Sequence, residues 1–164
     1  MYLCYVDESG DKGYERSLTS AYALGVLLVP DRTWLRTLDA ILGWRRALKR
    51  EFGIPIRAEL KAGHFIHNTG PFERLNVSDE ARMKIYRRSL RLISKVHNPN
   101  GVAVFAVVVD KEWMKRCHLT YRDPECEAWE LAIERLETFT RKNKETCMIL
   151  PDEGEYHTGL LPEN

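Results

Sequence analysis

Acidic side chains follow three apolar stretches of the sequence, at the point where each stretch ends. Asp7 and Glu8 close the first stretch, Asp110 closes a run of valines and alanines, and Asp152 closes the last. One such aspartate alone is ordinary turn chemistry, because its carboxylate bonds its own backbone there. Three in one α/β sheet differ, since side chains at the carboxyl ends of neighbouring parallel strands converge. We therefore expect Asp7, Asp110 and Asp152 to meet.

Clustered carboxylates predict a cation, because they repel one another and raise each other's pKa unless a cation neutralises them. Hard oxygen ligands select Mg²⁺ or Mn²⁺, and such ions hold both oxygens of a phosphoryl transfer. We expect the carboxylates of Asp7 and Asp110 to share one ion, at about 4 to 7 Å from each other. A calcium loop starting at Asp7 is excluded, because Lys12 occupies its glycine position and Leu18 its final glutamate position.

Hydrophobic periodicity predicts the strands that position these acids. The segment from Tyr2 to Val6 and the following "SAYALGVLLVP" predict a hairpin-like strand pair. The run "GVAVFAVVVD" is apolar throughout, which is typical of a central strand in parallel pairing and covered on both faces. "IRAELKAGHFI" predicts a short strand or extended segment before a Gly-Pro loop, and "TCMIL" predicts a last strand.

Helical spacing and capping residues predict three helices, over residues 33–52, 78–97 and 123–143. Gly53 is expected to end the first helix, and Ser78 is expected to be the N-cap of the second. The elements alternate between strand and helix with no linker or repeat between them. The pattern therefore predicts one α/β domain over residues 1–164.

The second helix carries a basic stripe. Spacing predicts that its apolar residues Met83, Tyr86, Leu90 and Ile93 face the core. The cations then lie on the opposite side, where they form a candidate nucleic-acid surface: Lys84, Arg87, Arg88, Arg91 and Lys95. A solvated face is the commoner interpretation of such a stripe.

Composition limits the classes of protein. The chain has 164 residues, a net charge of +1 and four cysteines without CxxC spacing, which favours reduced thiols over a disulfide framework. The pair His64 and His67 lacks the partners of a zinc site. Without a signal peptide or a long apolar run, the sequence predicts a cytoplasmic protein with no membrane span.

Four segments carry a resemblance to a known family: "YVDESGD", "AELKAGHF", "VVVDK" and "ILPDEGEY". Together they resemble the bacterial domain-of-unknown-function family 3800. The resemblance implies a ribonuclease H-like mixed sheet flanked by helices, in which a first strand and a later strand lie side by side and each offers a metal-binding acid. It implies a nuclease-like site built from Asp7, Glu8, Glu59, Lys61, Asp110, Asp152 and Glu153.

The leading hypothesis is a Mg²⁺- or Mn²⁺-dependent nuclease or phosphodiesterase acting on DNA or RNA. Asp7, Asp110 and Asp152 would bind metal, Glu59 would be a ligand or general base, and Lys61 would stabilise phosphate charge. Alternatively, Lys61 pairs with Glu59 on the surface.

Two other functions remain open at this point. Members of the family continue beyond the "DEG" segment to a further helix, so the resemblance implies that this chain lacks the usual C-terminal segment. That would permit a catalytically silent binding or regulatory module, associated with defence or mobile elements. A structural homodimer is the third possibility.

Overall fold

The protein is mixed α/β, with a four-stranded mixed sheet. The computed structural model describes residues 1–15 and 17–152, with only the backbone of residues 98 and 99. The chain divides into two compact units: unit 1 holds residues 1–31 and the chain from residue 103 onward, and unit 2 holds residues 32–102. Unit 2 is thus inserted between two segments of unit 1. Among the helices described, none is long and apolar enough to cross a membrane.

The sheet belongs to unit 1 and has the order β3-β2-β1-β4. Its strands are β1 (Tyr2–Ser9), β2 (Ala21–Pro30), β3 (Ala103–Asp110) and β4 (Cys147–Pro151). The pairing of β1 with β2 is antiparallel, which confirms the predicted hairpin-like pair. β2 pairs antiparallel with β3, and β1 pairs in parallel with β4.

The prediction for β3 was wrong in position and in pairing. β3 lies at an edge of the described sheet and is antiparallel to β2, whereas the sequence favoured a central, parallel strand. One of its faces is open, with Val104 exposed by 49% and Val108 by 62%. An uninterrupted apolar run therefore failed as a signal of burial here, because the outward positions are also valine and alanine.

Helix α6 (Pro124–Asn143) covers the other face of the sheet. Asp123 caps its N-terminus by accepting a hydrogen bond from the Glu125 amide at 2.8 Å. Small and apolar residues at helical spacing then face the strands: Ala128, Ala132 and Leu136. They pack on inward-facing strand residues that include Cys4, Val6, Leu24 and Val26. A short helix that the sequence did not predict, α5 (Lys111–Arg116), follows β3 directly.

Unit 2 is helical. It contains α1 (Trp34–Phe52), α2 (Ala62–His67), α3 (Pro71–Arg74) and α4 (Asp79–Asn100). The predicted stop at Gly53 and start at Ser78 are confirmed: Gly53 has φ 72°, and the Ser78 side chain accepts from the Ala81 amide. The segment over residues 56–66, predicted as a short strand or extended segment, contains no strand. Its second half belongs to α2, and α3 begins at Pro71 of the expected Gly-Pro loop.

The buried face of α4 is displaced by one residue from the prediction. Of the four residues predicted to face the core, Tyr86 is partly buried against it, whereas Met83, Leu90 and Ile93 are exposed. The buried positions of α4 include Arg82, Ile85 and Val96. The reason is Arg82, a charged residue in a core position. Its guanidinium donates to the carbonyl oxygen of Phe65 at 2.6 Å and pairs with the carboxylate of the exposed Asp79, so its charge has a partner.

Replacing Gly10 by alanine should destabilise unit 1. Gly10 has φ +93°, and a Cβ there would lie 2.4 Å from the carbonyl oxygen of Ala21. We expect the free energy of unfolding, measured with urea, to fall by about 1 to 3 kcal/mol. The matched control is Gly43→Ala in α1, where a Cβ meets no atom within 4 Å. That change should stabilise by about 0.5 to 1 kcal/mol. Equal effects of the two would contradict the strain at Gly10.

Candidate functional site

Asp7 and Asp152 occupy adjacent positions at the carboxyl ends of two parallel strands. The β1–β4 register pairs Val6 with Pro151, so Asp7 and Asp152 come next. The Asp152 amide continues the pairing by donating to the Val6 carbonyl oxygen at 2.8 Å. Strand alternation puts both residues on the sheet face opposite α6, and both are exposed. Because neighbouring strands lie about 4.8 Å apart, the two carboxylates can reach one cation.

Asp110 does not join this pair, so the expectation that Asp7 and Asp110 close adjacent strands was wrong. β2 lies between their strands. Asp7 pairs with Gly25, Gly25 pairs with Ala106, and Asp110 lies beyond Ala106 along β3. Their Cα atoms are therefore separated by about 13 Å along the strands and about 10 Å across them.

The Asp110 carboxylate instead caps helix α5. Its Oδ1 accepts a hydrogen bond from the Trp113 amide at 3.0 Å. This is the turn chemistry that any aspartate after a strand can perform, and it ties up one carboxylate oxygen. The prediction that Asp110 binds metal thus rests on the family resemblance and no longer on proximity to Asp7.

Glu8 lies on the other face of the sheet from Asp7, because successive strand residues alternate. It contributes to a raised pKa of the Tyr22 hydroxyl, whose main cause is burial. The charges of Glu8 and Asp7 therefore act on opposite sides of the sheet. The catalytic role of Glu8 stays a prediction.

Glu59 and Lys61 belong to unit 2 and form an ion pair at 3.1 Å. Their side chains are exposed by 69% and 63%, so the pair is screened by water and contributes about 1 kcal/mol or less. This is the surface pairing given above as the alternative for Lys61. Their proposed roles as ligand or base and as phosphate contact stay predictions.

A buried lysine that sequence reasoning missed holds the loop between β1 and β2. Lys111 is only 1% exposed. Its ammonium contacts five oxygen atoms, two of Asp11 and one each from Gly13, Ser17 and Thr19, at 2.5 to 3.3 Å. A single cation at the start of α5 therefore fixes the loop that follows β1. The only sequence signal was a lysine directly after the strand-end Asp110.

Asp11 organises the same loop from the other side. Its carboxylate accepts hydrogen bonds from the Ser17 and Thr19 hydroxyls, both at 3.0 Å, and from the Gly13 amide at 3.1 Å. The bond from Ser17, followed by those from Thr19 and Lys111, holds the pKa of Asp11 far below its usual range. Of the three acids in the "DESGD" segment, Asp11 is therefore structural.

The basic stripe of α4 is largely exposed, as predicted. Lys84, Arg87, Arg91 and Lys95 lie at the surface. Arg88 is half-buried and forms a two-pronged ion pair with Glu51 of α1, one bond of which measures 3.2 Å. Arg88 would have to leave Glu51 before it could bind a phosphate. Four cations of the stripe thus remain as candidate contacts.

Within residues 1–15 and 17–152, no group of three or more His, Cys, Asp or Glu side chains is placed to bind a metal ion. The carboxylate pair Asp7 and Asp152 would supply two protein ligands if it bound a metal ion. This fits Mg²⁺ in type and number, because Mg²⁺ keeps several waters and usually takes one or two carboxylates. Glu153, which the resemblance also implied, lies outside the described residues.

Comparison with known proteins gave no relative. No protein-family model, no curated protein and no solved structure matches this chain.

Proposed function

We propose that this protein is a Mg²⁺- or Mn²⁺-dependent phosphodiesterase that acts on nucleic acid. The observation that carries the proposal is the pair Asp7 and Asp152, in register at the carboxyl ends of neighbouring parallel strands. Two exposed carboxylates so close together repel one another unless a cation binds between them. Hard divalent cations bound by carboxylates are suited to phosphoryl transfer.

We further propose that unit 1 is of ribonuclease H-like type. The resemblance implied a first strand and a later strand lying side by side, each ending in a metal-binding acid. In this chain β1 and β4 lie side by side in parallel and an aspartate follows each of them, and β1 is also paired antiparallel to β2; this arrangement supports the proposal. The later strand is thus β4, where the sequence had favoured β3.

In this proposal each chemical task falls to a named group. Asp7 and Asp152 hold the metal, which when bound supplies charge stabilisation and an activated water. The network of Lys111 and Asp11 fixes the loop that follows β1 and so limits the movement of the strand end that carries Asp7. Substrate approaches from solvent, because both carboxylates are exposed on an open sheet face.

The test of this function is cleavage of single-stranded and duplex DNA and RNA in Mg²⁺, Mn²⁺ and EDTA, together with the melting temperature in each buffer. We expect Mn²⁺ to raise the melting temperature, because it binds the folded carboxylate pair, and to support cleavage of at least one substrate. Metal-dependent stabilisation with binding but no cleavage would instead support the catalytically silent module. If the metal ions produce no rise in melting temperature and no cleavage of any substrate, the proposal is contradicted.

The exposed cations of α4 should contribute to nucleic-acid binding. Replacing Arg91 and Lys95 by glutamine is expected to reduce the slope of log Kd against log salt concentration by about 2, because two phosphate contacts are lost. The control replaces two exposed cations of α6, Arg135 and Lys142, which should leave the slope unchanged. Equal changes for both pairs would mean that the α4 stripe is only a solvated face.

A further inference from the structure

Unit 2 contains a pocket of about 600 Å³ that the proposed function does not use. It lies wholly within residues 55–75, where the chain turns from the end of α1 through α2 and α3. Its volume is within the range of small-molecule sites in proteins. The lining residues include Pro55, Ala58, Pro71 and Leu75 as apolar walls.

The polar lining of this pocket is predominantly cationic. Arg57 and Arg74 both contribute to it, together with His64 and Glu59. Neither arginine forms an ion pair with any residue in the described part of the chain. Glu59 is already neutralised by Lys61 at 3.1 Å. Both arginines are exposed residues that line the same pocket, and a bound anion would pair with their guanidinium groups.

The imidazole of His64 is held in a defined orientation beside the arginines. Its Nδ1 lies 3.4 Å from the Lys61 amide, which donates to it, so the ring proton is on Nε2. The ring lies flat against Gly70, where a Cβ would come within 3.0 to 3.1 Å of three ring atoms. Gly70 has φ +63°, a backbone conformation that favours glycine. Nε2 is thus an N–H donor on a fixed ring.

We infer that this pocket binds a phosphate monoester, with Arg57 and Arg74 on the phosphate oxygens and the apolar walls against the attached organic group. Paired arginines match the geometry of phosphate oxygens, and the volume exceeds what a bare phosphate fills. The phosphate could be that of a free small molecule or the terminal phosphate of a nucleic acid. The inference is independent of metal binding at Asp7 and Asp152.

The test is calorimetric titration of the full chain in EDTA, so that no metal at Asp7 and Asp152 can bind the phosphate. The probes are inorganic phosphate, ribose 5-phosphate and ribose, and an eight-nucleotide DNA with or without a 5′-phosphate. We expect ribose 5-phosphate to bind and ribose not to bind. Replacing Arg57 and Arg74 by glutamine should weaken binding at least tenfold, because both guanidinium contacts are lost.

The matched control replaces two exposed arginines of α1, Arg46 and Arg50, which do not line the pocket. It should change the affinity less than twofold. Preference for the 5′-phosphorylated DNA would assign the terminal phosphate of a nucleic acid as the ligand, and equal binding of the two DNAs would assign a free phosphate monoester. The inference is overturned if the parent binds neither ribose 5-phosphate nor 5′-phosphorylated DNA at millimolar concentration, or if both double variants lose affinity equally. Because the replaced side chains are exposed, unchanged melting curves verify the fold.

Discussion

Replacing Asp7 by asparagine is expected to abolish metal-dependent cleavage of nucleic acid, by a factor of at least about 100. The change removes one of two ligand charges and keeps the volume of the side chain. It also removes the repulsion between Asp7 and Asp152, so without metal the variant should be at least as stable as the parent. The measurement pairs cleavage rates with melting temperatures, each with and without Mn²⁺.

The controls use the other two strand-end acids. Asp152→Asn should reproduce the loss of cleavage and of Mn²⁺ stabilisation, because it removes the second ligand. Asp110→Asn should leave both unchanged, because asparagine caps a helix as well as aspartate and Asp110 is remote from Asp7. If the Asp7→Asn variant cleaves as fast as the parent, or if Asp110→Asn loses as much cleavage as Asp7→Asn, a metal site at the ends of β1 and β4 is excluded.

Replacing Lys111 by methionine should be destabilising, by about 1 to 3 kcal/mol in the free energy of unfolding, because several hydrogen bonds from a buried ammonium are lost. Methionine fills a similar volume but removes the donor to the backbone carbonyl oxygens of Asp11 and Gly13 and to the hydroxyl oxygens of Ser17 and Thr19. Urea unfolding followed by circular dichroism measures the loss.

Lys115→Met is the matched control for this prediction. Lys115 lies four residues farther along and pairs with Glu112 at 2.7 Å, but both side chains are exposed. Its replacement should cost about 0.5 kcal/mol or less. If the two replacements lower the free energy of unfolding by the same amount, the five contacts of Lys111 contribute no more to stability than a surface ion pair.

The elements with strong local signals were predictable from sequence. Gly53, Ser78 and Pro124 mark helix ends through their own backbone or side chains, and each prediction agrees with the structure. The sheet order was not predictable in the same way. β3 has apolar residues at both inward and outward positions, so its pattern does not distinguish an edge from a centre.

The candidate site was predicted only in part, for a related reason. A carboxylate that ends a strand can bind a cation or cap the next helix, and both uses follow the same sequence pattern. Asp110 caps α5, whereas Asp7 and Asp152 lie side by side. The burial of Lys111 could not be predicted from the sequence either, because the oxygen atoms that accept its hydrogen bonds come from residues 11–19, far away in sequence.

Because unit 2 is inserted in the chain between β2 and β3, the strands of unit 1 are synthesised at widely separated times. β1 and β2 emerge first, but β3 follows only after residues 31–102, a delay of about 4 to 15 s at usual synthesis rates. A two-stranded pair is marginally stable alone, so the sheet cannot consolidate during that interval. Among the strands of residues 1–152, β4 emerges after the others, and it brings Asp152 beside Asp7. Nascent chains therefore carry Asp7 without its partner, and the carboxylate pair is assembled only when the sheet closes.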